Sequence, residues 1–68
     1  MRQILIYPGE DGYWVGKCAS LPGCASQGRT KAEAIANAKE AIAVYIAALQ
    51  DDDLPVPEEM FDALLVVV

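Results

Sequence analysis

Turn chemistry cuts this chain, as far as Gly28, into pieces too short to be anything but β-strands. Pro8-Gly9-Glu10-Asp11-Gly12, Ser20-Leu21-Pro22-Gly23 and Gly28 are the punctuation. Pro presets φ, Gly supplies positive φ, and Asp tolerates left-handed backbone. Between these clusters lie Gln3 to Tyr7 and Tyr13 to Ala19, both with β-branched and aromatic residues, and the short run Cys24 to Gln27. Two such strands joined by a short Gly-bearing loop form a hairpin, and the third extends it into an antiparallel meander. Side-chain alternation puts Trp14, Gly16 and Cys18 on one face of the second strand, and Tyr13, Val15, Lys17 and Ala19 on the other. Gly12, Gly23 and Gly28 are read as backbone devices for positive φ or tight turns. The space that Gly16 leaves beside Trp14 is read as room for a partner or for an aromatic packed on the sheet.

After Gly28 the pattern changes. Thr30-Lys31-Ala32-Glu33 has the form of a capping box. The Thr30 hydroxyl is expected to accept from the Glu33 amide, and the Glu33 carboxylate to reach back to the Thr30 amide. From there to Leu49 the chain is Ala-rich and free of Gly and Pro, which predicts a helix. At about 100° per residue, Ile35, Ala38, Ile42, Tyr45, Ile46 and Leu49 share one face, which should meet the sheet. Asp51-Asp52-Asp53 ends the helix against the negative pole of its macrodipole, so fraying is expected there. Leu54-Pro55-Val56-Pro57 is a stiff connector. Phe61 to Val68 closes in Leu64-Leu65-Val66-Val67-Val68, apolar on both sides like a strand covered on both faces. The expected architecture is α+β, in the order β-β-β-α-β, within one domain spanning 1–68. The last strand is reached by a right-handed crossover.

At 68 residues and 54% hydrophobic, the chain is rich enough to fold but small enough for self-association to be expected. Its net charge of −5 is unevenly placed: all five bases lie at or before Lys39, and six of the ten carboxylates at or after Asp51. An acidic chain without a basic cluster is a poor match for nucleic acid and a better one for a basic protein. The longest apolar run, Ala41 to Leu49, is too short to span a bilayer. The first residues lack the form of a secretory signal, which leaves the cytoplasm as the expected compartment. The sequence contains no His, so imidazole acid–base chemistry and His metal ligands are absent. Cys18 and Cys24 alone cannot complete a zinc site and are read as small core residues rather than a bridge. Asp51–Asp53 lacks the alternation, Gly and terminal Glu of a calcium loop. No cofactor, metal or catalytic residue is expected.

Tyr7-Pro8-Gly9-Glu10-Asp11-Gly12-Tyr13-Trp14, Ser20-Leu21-Pro22-Gly23-Cys24, Ser26-Gln27-Gly28, Thr30, Glu33-Ala34, Asn37-Ala38-Lys39-Glu40-Ala41 and Pro55-Val56-Pro57 together resemble the HicB-like antitoxin family of toxin–antitoxin systems. Each piece is common by itself; their order and spacing over roughly residues 3–59 carry the resemblance. It implies a partial RNase-H-like fold and a non-enzymatic protein that neutralises a HicA-like toxin, a small basic protein that cleaves mRNA. Many members carry a C-terminal DNA-binding domain. The sequence stops at Val68 without one, so operator binding by this chain alone is not expected. RNase H chemistry needs metal-binding carboxylates on core strands, and the strands expected here carry none.

The candidate partner-binding residues are Trp14, Val44, Asp51, Asp52, Asp53, Glu58 and Glu59. The acids read either as a solvated loop that keeps an apolar chain soluble or as a docking strip for the basic toxin. Val44 stands on the polar side of the helix among small alanines that allow close approach of another element. Trp14 is either core or an interface anchor. The expected function is occlusion of the toxin. The alternative is a homo-oligomeric structural or regulatory domain, dimer or tetramer, with no toxin and no catalysis.

Overall fold

A computed structural model of the chain describes residues 2–59. Strands β1 (Leu5–Pro8), β2 (Trp14–Lys17) and β3 (Ala25–Gly28) form an antiparallel sheet in the order β1-β2-β3, and the helix α1 (Lys31–Asp51) follows. This is the α+β meander-and-helix arrangement that the turn clusters and capping box predict, with the strands trimmed or shifted by a residue or two. The expected C-terminal strand falls outside the described residues.

Each turn has a local cause. Asp11 and Gly12 take φ of 58° and 79°, and the Tyr13 amide donates to the Glu10 carbonyl at 3.2 Å. Two successive left-handed residues make the mirror-image turn whose twist suits a hairpin, and Asp-Gly is its preferred sequence. The second turn is built on Leu21-Pro22-Gly23-Cys24. The Cys24 amide donates to the Leu21 carbonyl at 3.0 Å, and Gly23 has φ 77°. Pro then Gly in the two central positions is the chemistry of a type II turn. It swings Leu21 inward, where it is 0% exposed and packs with Cys18 and Cys24 against Ala41, Ile42, Tyr45 and Ile46 of α1.

The helix meets the sheet at unusually short range. A Cβ at Gly16 would lie 2.9 Å from the Ala34 carbonyl oxygen and from Ala38 Cβ; one at Gly28 would lie 2.5 Å from the Ala34 nitrogen. Gly28 therefore serves close approach rather than positive φ, and α1 occupies the room at Gly16 that the sequence left to a partner or an aromatic. Such proximity admits only small residues beneath the helix, so its buried face centres on Ala34 and Ala38, while Ile35 is displaced to the flank at 37% exposure.

Both ends of α1 are closed. Thr30 Oγ1 accepts from the Glu33 amide at 3.0 Å, and Glu33 Oε1 accepts from the Arg29 amide at 3.2 Å. The return bond of the box thus lands one residue before the expected Thr30 amide. At the far end the Asp53 amide donates to the Gln50 carbonyl at 3.2 Å and the Leu54 amide to the Leu49 carbonyl at 2.8 Å. With Asp53 at φ 55° this is a Schellman motif. It satisfies the carbonyls that were expected to fray, with Asp in the left-handed position that Gly usually holds.

Candidate partner-binding site

The seven residues expected to meet a partner lie in four places. Trp14 begins β2, half-buried, with Lys31 Nζ 4.8 Å from its ring centroid. A cation over an aromatic face is a favourable contact, and here it covers the ring from within the chain. Asp51, Asp52 and Asp53 are exposed at the other end of α1. A helix of this length measures about 30 Å, so Trp14 and the aspartates cannot belong to one small patch. Glu58 is exposed, while Glu59 is half-buried and its carboxylate accepts from the Gln3 amide at 2.5 Å. That contact brings the segment after Pro57 beside the start of β1.

Val44 lies elsewhere again. It is 64% exposed and borders an open groove of about 460 Å³ between α1 and β3. Gly23, Cys24, Ala25 and Ser26 line one wall, and Asn37, Glu40, Ala41, Val44 and Tyr45 the other. Tyr45 fixes one end, its hydroxyl donating to the Pro22 carbonyl at 2.8 Å. Asn37 fixes the other, its Nδ2 donating to the Gln27 carbonyl at 2.8 Å. Sequence reasoning found Val44 but missed the groove. The signal was available in the polar Asn37 and the amphipathic Tyr45 flanking Ala41 at helical spacing.

Among the described residues, the strand that borders the groove is an edge. The Cys18 amide donates to the Cys24 carbonyl at 3.0 Å, which marks Cys18 and Cys24 as a hydrogen-bonded pair. Antiparallel alternation then makes Gly16–Ser26 and Trp14–Gly28 the next such pairs. Ala25 and Gln27 consequently turn their amides and carbonyls away from β2. On the sheet face opposite α1, Leu5 and Tyr7 are 46% and 39% exposed.

Buried polar chemistry is sparse. Cys18 and Cys24 are buried free thiols. Burial, and next the proximity of Cys18, raises the Cys24 pKa above its ordinary value of 9.0, which keeps it protonated and unreactive. Ser20 is buried and accepts from Arg2 Nη1 at 3.0 Å. Among the described residues no cluster of three or more His, Cys, Asp or Glu could hold a metal ion, and no helix is long and apolar enough to cross a membrane. The arrangement offers surfaces for association and no assembled reaction centre among those residues.

Comparison with known proteins identifies the family. Residues 3–64 match the family model described as the HicB-like antitoxin of bacterial toxin–antitoxin systems. The chain is 41% identical over 63 residues to a UPF0150 protein of Thermoplasma acidophilum, covering 93% of this chain and 91% of that one. It is 45% identical over 56 residues to a UPF0150 protein of Synechocystis sp., covering 82% and 71%. A UPF0150 protein of Helicobacter pylori is 42% identical over 50 residues, covering 74% and 68%. No solved structure matches the chain. With the match running from β1 through the Leu21-Pro22-Gly23-Cys24 turn and α1, this chain belongs to the HicB-like antitoxin family.

Proposed function

We propose that the chain is a non-enzymatic antitoxin that neutralises a small basic, mRNA-cleaving toxin of the HicA-like class by covering its RNA-binding surface. The family match over residues 3–64 carries the reading. The charge distribution supports it: Asp51, Asp52 and Asp53 stand exposed together at the C-terminal end of α1, with exposed Glu58 on the following segment. Such a strip attracts a basic partner over a distance of about one Debye length and fixes its orientation on arrival. Trp14, Val44 and Glu59 are the further candidate contacts. In this reading residues 1–68 act as one cytoplasmic domain, and Leu64–Val68 supplies a fourth strand that completes a partial RNase-H-like sheet. The Glu59–Gln3 contact brings the chain to the β1 edge and so supports such a strand.

Co-expression with the product of the adjacent reading frame tests the proposal. Growth is rescued and the two chains co-purify if the reading holds; persistent toxicity with no complex defeats it. A second reading, a homo-oligomeric module without a toxin, is favoured by the open groove and exposed Val44.

A further inference from the structure

The β3 edge and the groove beside it fit a second copy of this chain. We infer that the protein dimerises about a two-fold axis through Ala25, joining the sheets of two copies edge to edge, β3 beside β3, with the two α1 helices side by side on one face. The inference rests on the homo-oligomeric reading above and specifies its surface.

Three observations carry it. The first is the hydrogen-bonding edge. Ala25 directs both its amide and its carbonyl outward, and Gln27 its amide, with no hydrogen-bond partner among the described residues. An antiparallel strand pair exchanges two bonds between residues directly opposite one another. An axis at Ala25 therefore lets this residue pair with Ala25 of the partner subunit, and the Gln27 amides add one bond on each side. The Gln27 carbonyl is already held by Asn37, which stops the pairing from running on toward Arg29.

The second observation is the position of the helix. Ala34 lies against both Gly16 of β2 and Gly28 of β3, Asn37 reaches Gln27, and Tyr45 reaches Pro22. The helix thus runs above the boundary between β2 and β3, about one strand spacing, roughly 5 Å, from an axis at the β3 edge. The symmetry places the two helices about 10 Å apart, which is the distance of ordinary helix–helix packing. A helix seated over β1 would have left a gap there.

The third is the surface between the helices. Ala41, Val44 and Ala48 recur along this flank at helical spacing, and small side chains are what a 10 Å approach demands. Val44, 64% exposed, would insert into the opposing groove, whose walls already include Ala41 and Tyr45. Glu40 also lines the groove and lies near the axis, so association strengthens with salt. One strand edge and three helical turns make an interface at the small end of the specific range, on the order of 1,000 Å² in total, so the dimer is concentration-dependent.

Sedimentation equilibrium of the purified chain alone over a range of concentrations tests the inference, with circular dichroism to verify folding. The expected result is a monomer–dimer equilibrium built on the 7.3 kDa chain. Ala25→Pro, which removes an outward amide and no bond to β2, and Val44→Glu, at an exposed helix position, each weaken association at least tenfold. Leu5→Lys on the opposite sheet face leaves it unchanged. Should Ala25→Pro unfold the chain, Val44→Glu decides alone. A wild-type monomer throughout overturns both this inference and the homo-oligomeric reading. A dimer that survives Val44→Glu, or that Leu5→Lys dissociates, overturns the surface assigned here and leaves that reading standing.

Discussion

The Tyr45 hydroxyl donates to the Pro22 carbonyl at 2.8 Å, so the middle of α1 holds the Leu21-Pro22-Gly23-Cys24 turn by a directed bond as well as by packing. Tyr45→Phe keeps the ring and removes only the bond. The expected loss is about 0.5–1 kcal/mol, a fall in Tm of about 2–8 °C for a domain this small. Thermal melts followed by circular dichroism measure it.

The two kinds of glycine should respond differently to alanine. At Gly28 the added Cβ meets helix backbone at 2.5 Å, and relief requires α1 to move away from the sheet. A cost of about 3 kcal/mol or more is expected, enough to unfold much of the population. At Gly12 the space is open and only φ 79° opposes a side chain. The cost there is about 1–2 kcal/mol. Urea denaturation of the two variants should give this order, and a reversal would mean that the helix does not sit as close as Ala34 indicates.

Asp53 places an acidic residue in left-handed backbone at the negative end of a helix. Asp53→Gly removes both penalties at some cost in unfolded-state freedom, for a net gain of about 0.5–1 kcal/mol. Asp53→Asn, which removes the charge alone, should recover only part of it. Denaturant midpoints of the three proteins separate the contributions.

Because burial and the neighbouring Cys18 raise the Cys24 pKa, the folded chain holds this proton to higher pH than the unfolded chain does. Well below 9.0 the thiol is protonated in both states and contributes no pH dependence. As pH rises through that value the unfolded chain releases the proton first, so stability falls until the folded thiol also ionises. Urea midpoints between about pH 8 and pH 10 should show this decline, and Cys24→Ala should flatten it.

Replacing Asp51, Asp52 and Asp53 together by Asn tests the acidic strip in toxin capture. Association with a basic toxin should slow by about tenfold at low salt, with the difference vanishing at high salt. Stopped-flow mixing at two ionic strengths reads this directly, and an unchanged rate at low salt would remove the strip from the mechanism.

Much of the fold is legible in the residues because the chain marks its boundaries chemically. Asp11-Gly12, Pro22-Gly23 and Thr30 each adopt the turn or cap their side chains favour. What could not be read was distance. Periodicity assigned Ile35 to the buried face because it counts hydrophobicity, whereas the glycines opposite draw the helix in until only Ala34 and Ala38 fit. For the site, composition identified Val44 and the acids one by one. Their separation into three regions depends on which strand lies at an edge and where α1 crosses the sheet. Alternation says which face a side chain takes and nothing about which edge its backbone occupies.

The close seating of α1 also sets the kind of damage this molecule can tolerate. Among the described residues, its buried apolar side chains are those of Cys18, Leu21, Cys24, Ala34 and Ala38. Apart from Leu21, there is little bulk to take away, so truncation has few targets. Enlargement is the greater hazard: one methyl group at Gly16 or Gly28 lands on the main chain of Ala34. Random substitution should therefore reveal a protein intolerant of added volume at the helix–sheet contact and permissive almost everywhere else, which leaves its outer surface free to diverge with whatever it must recognise.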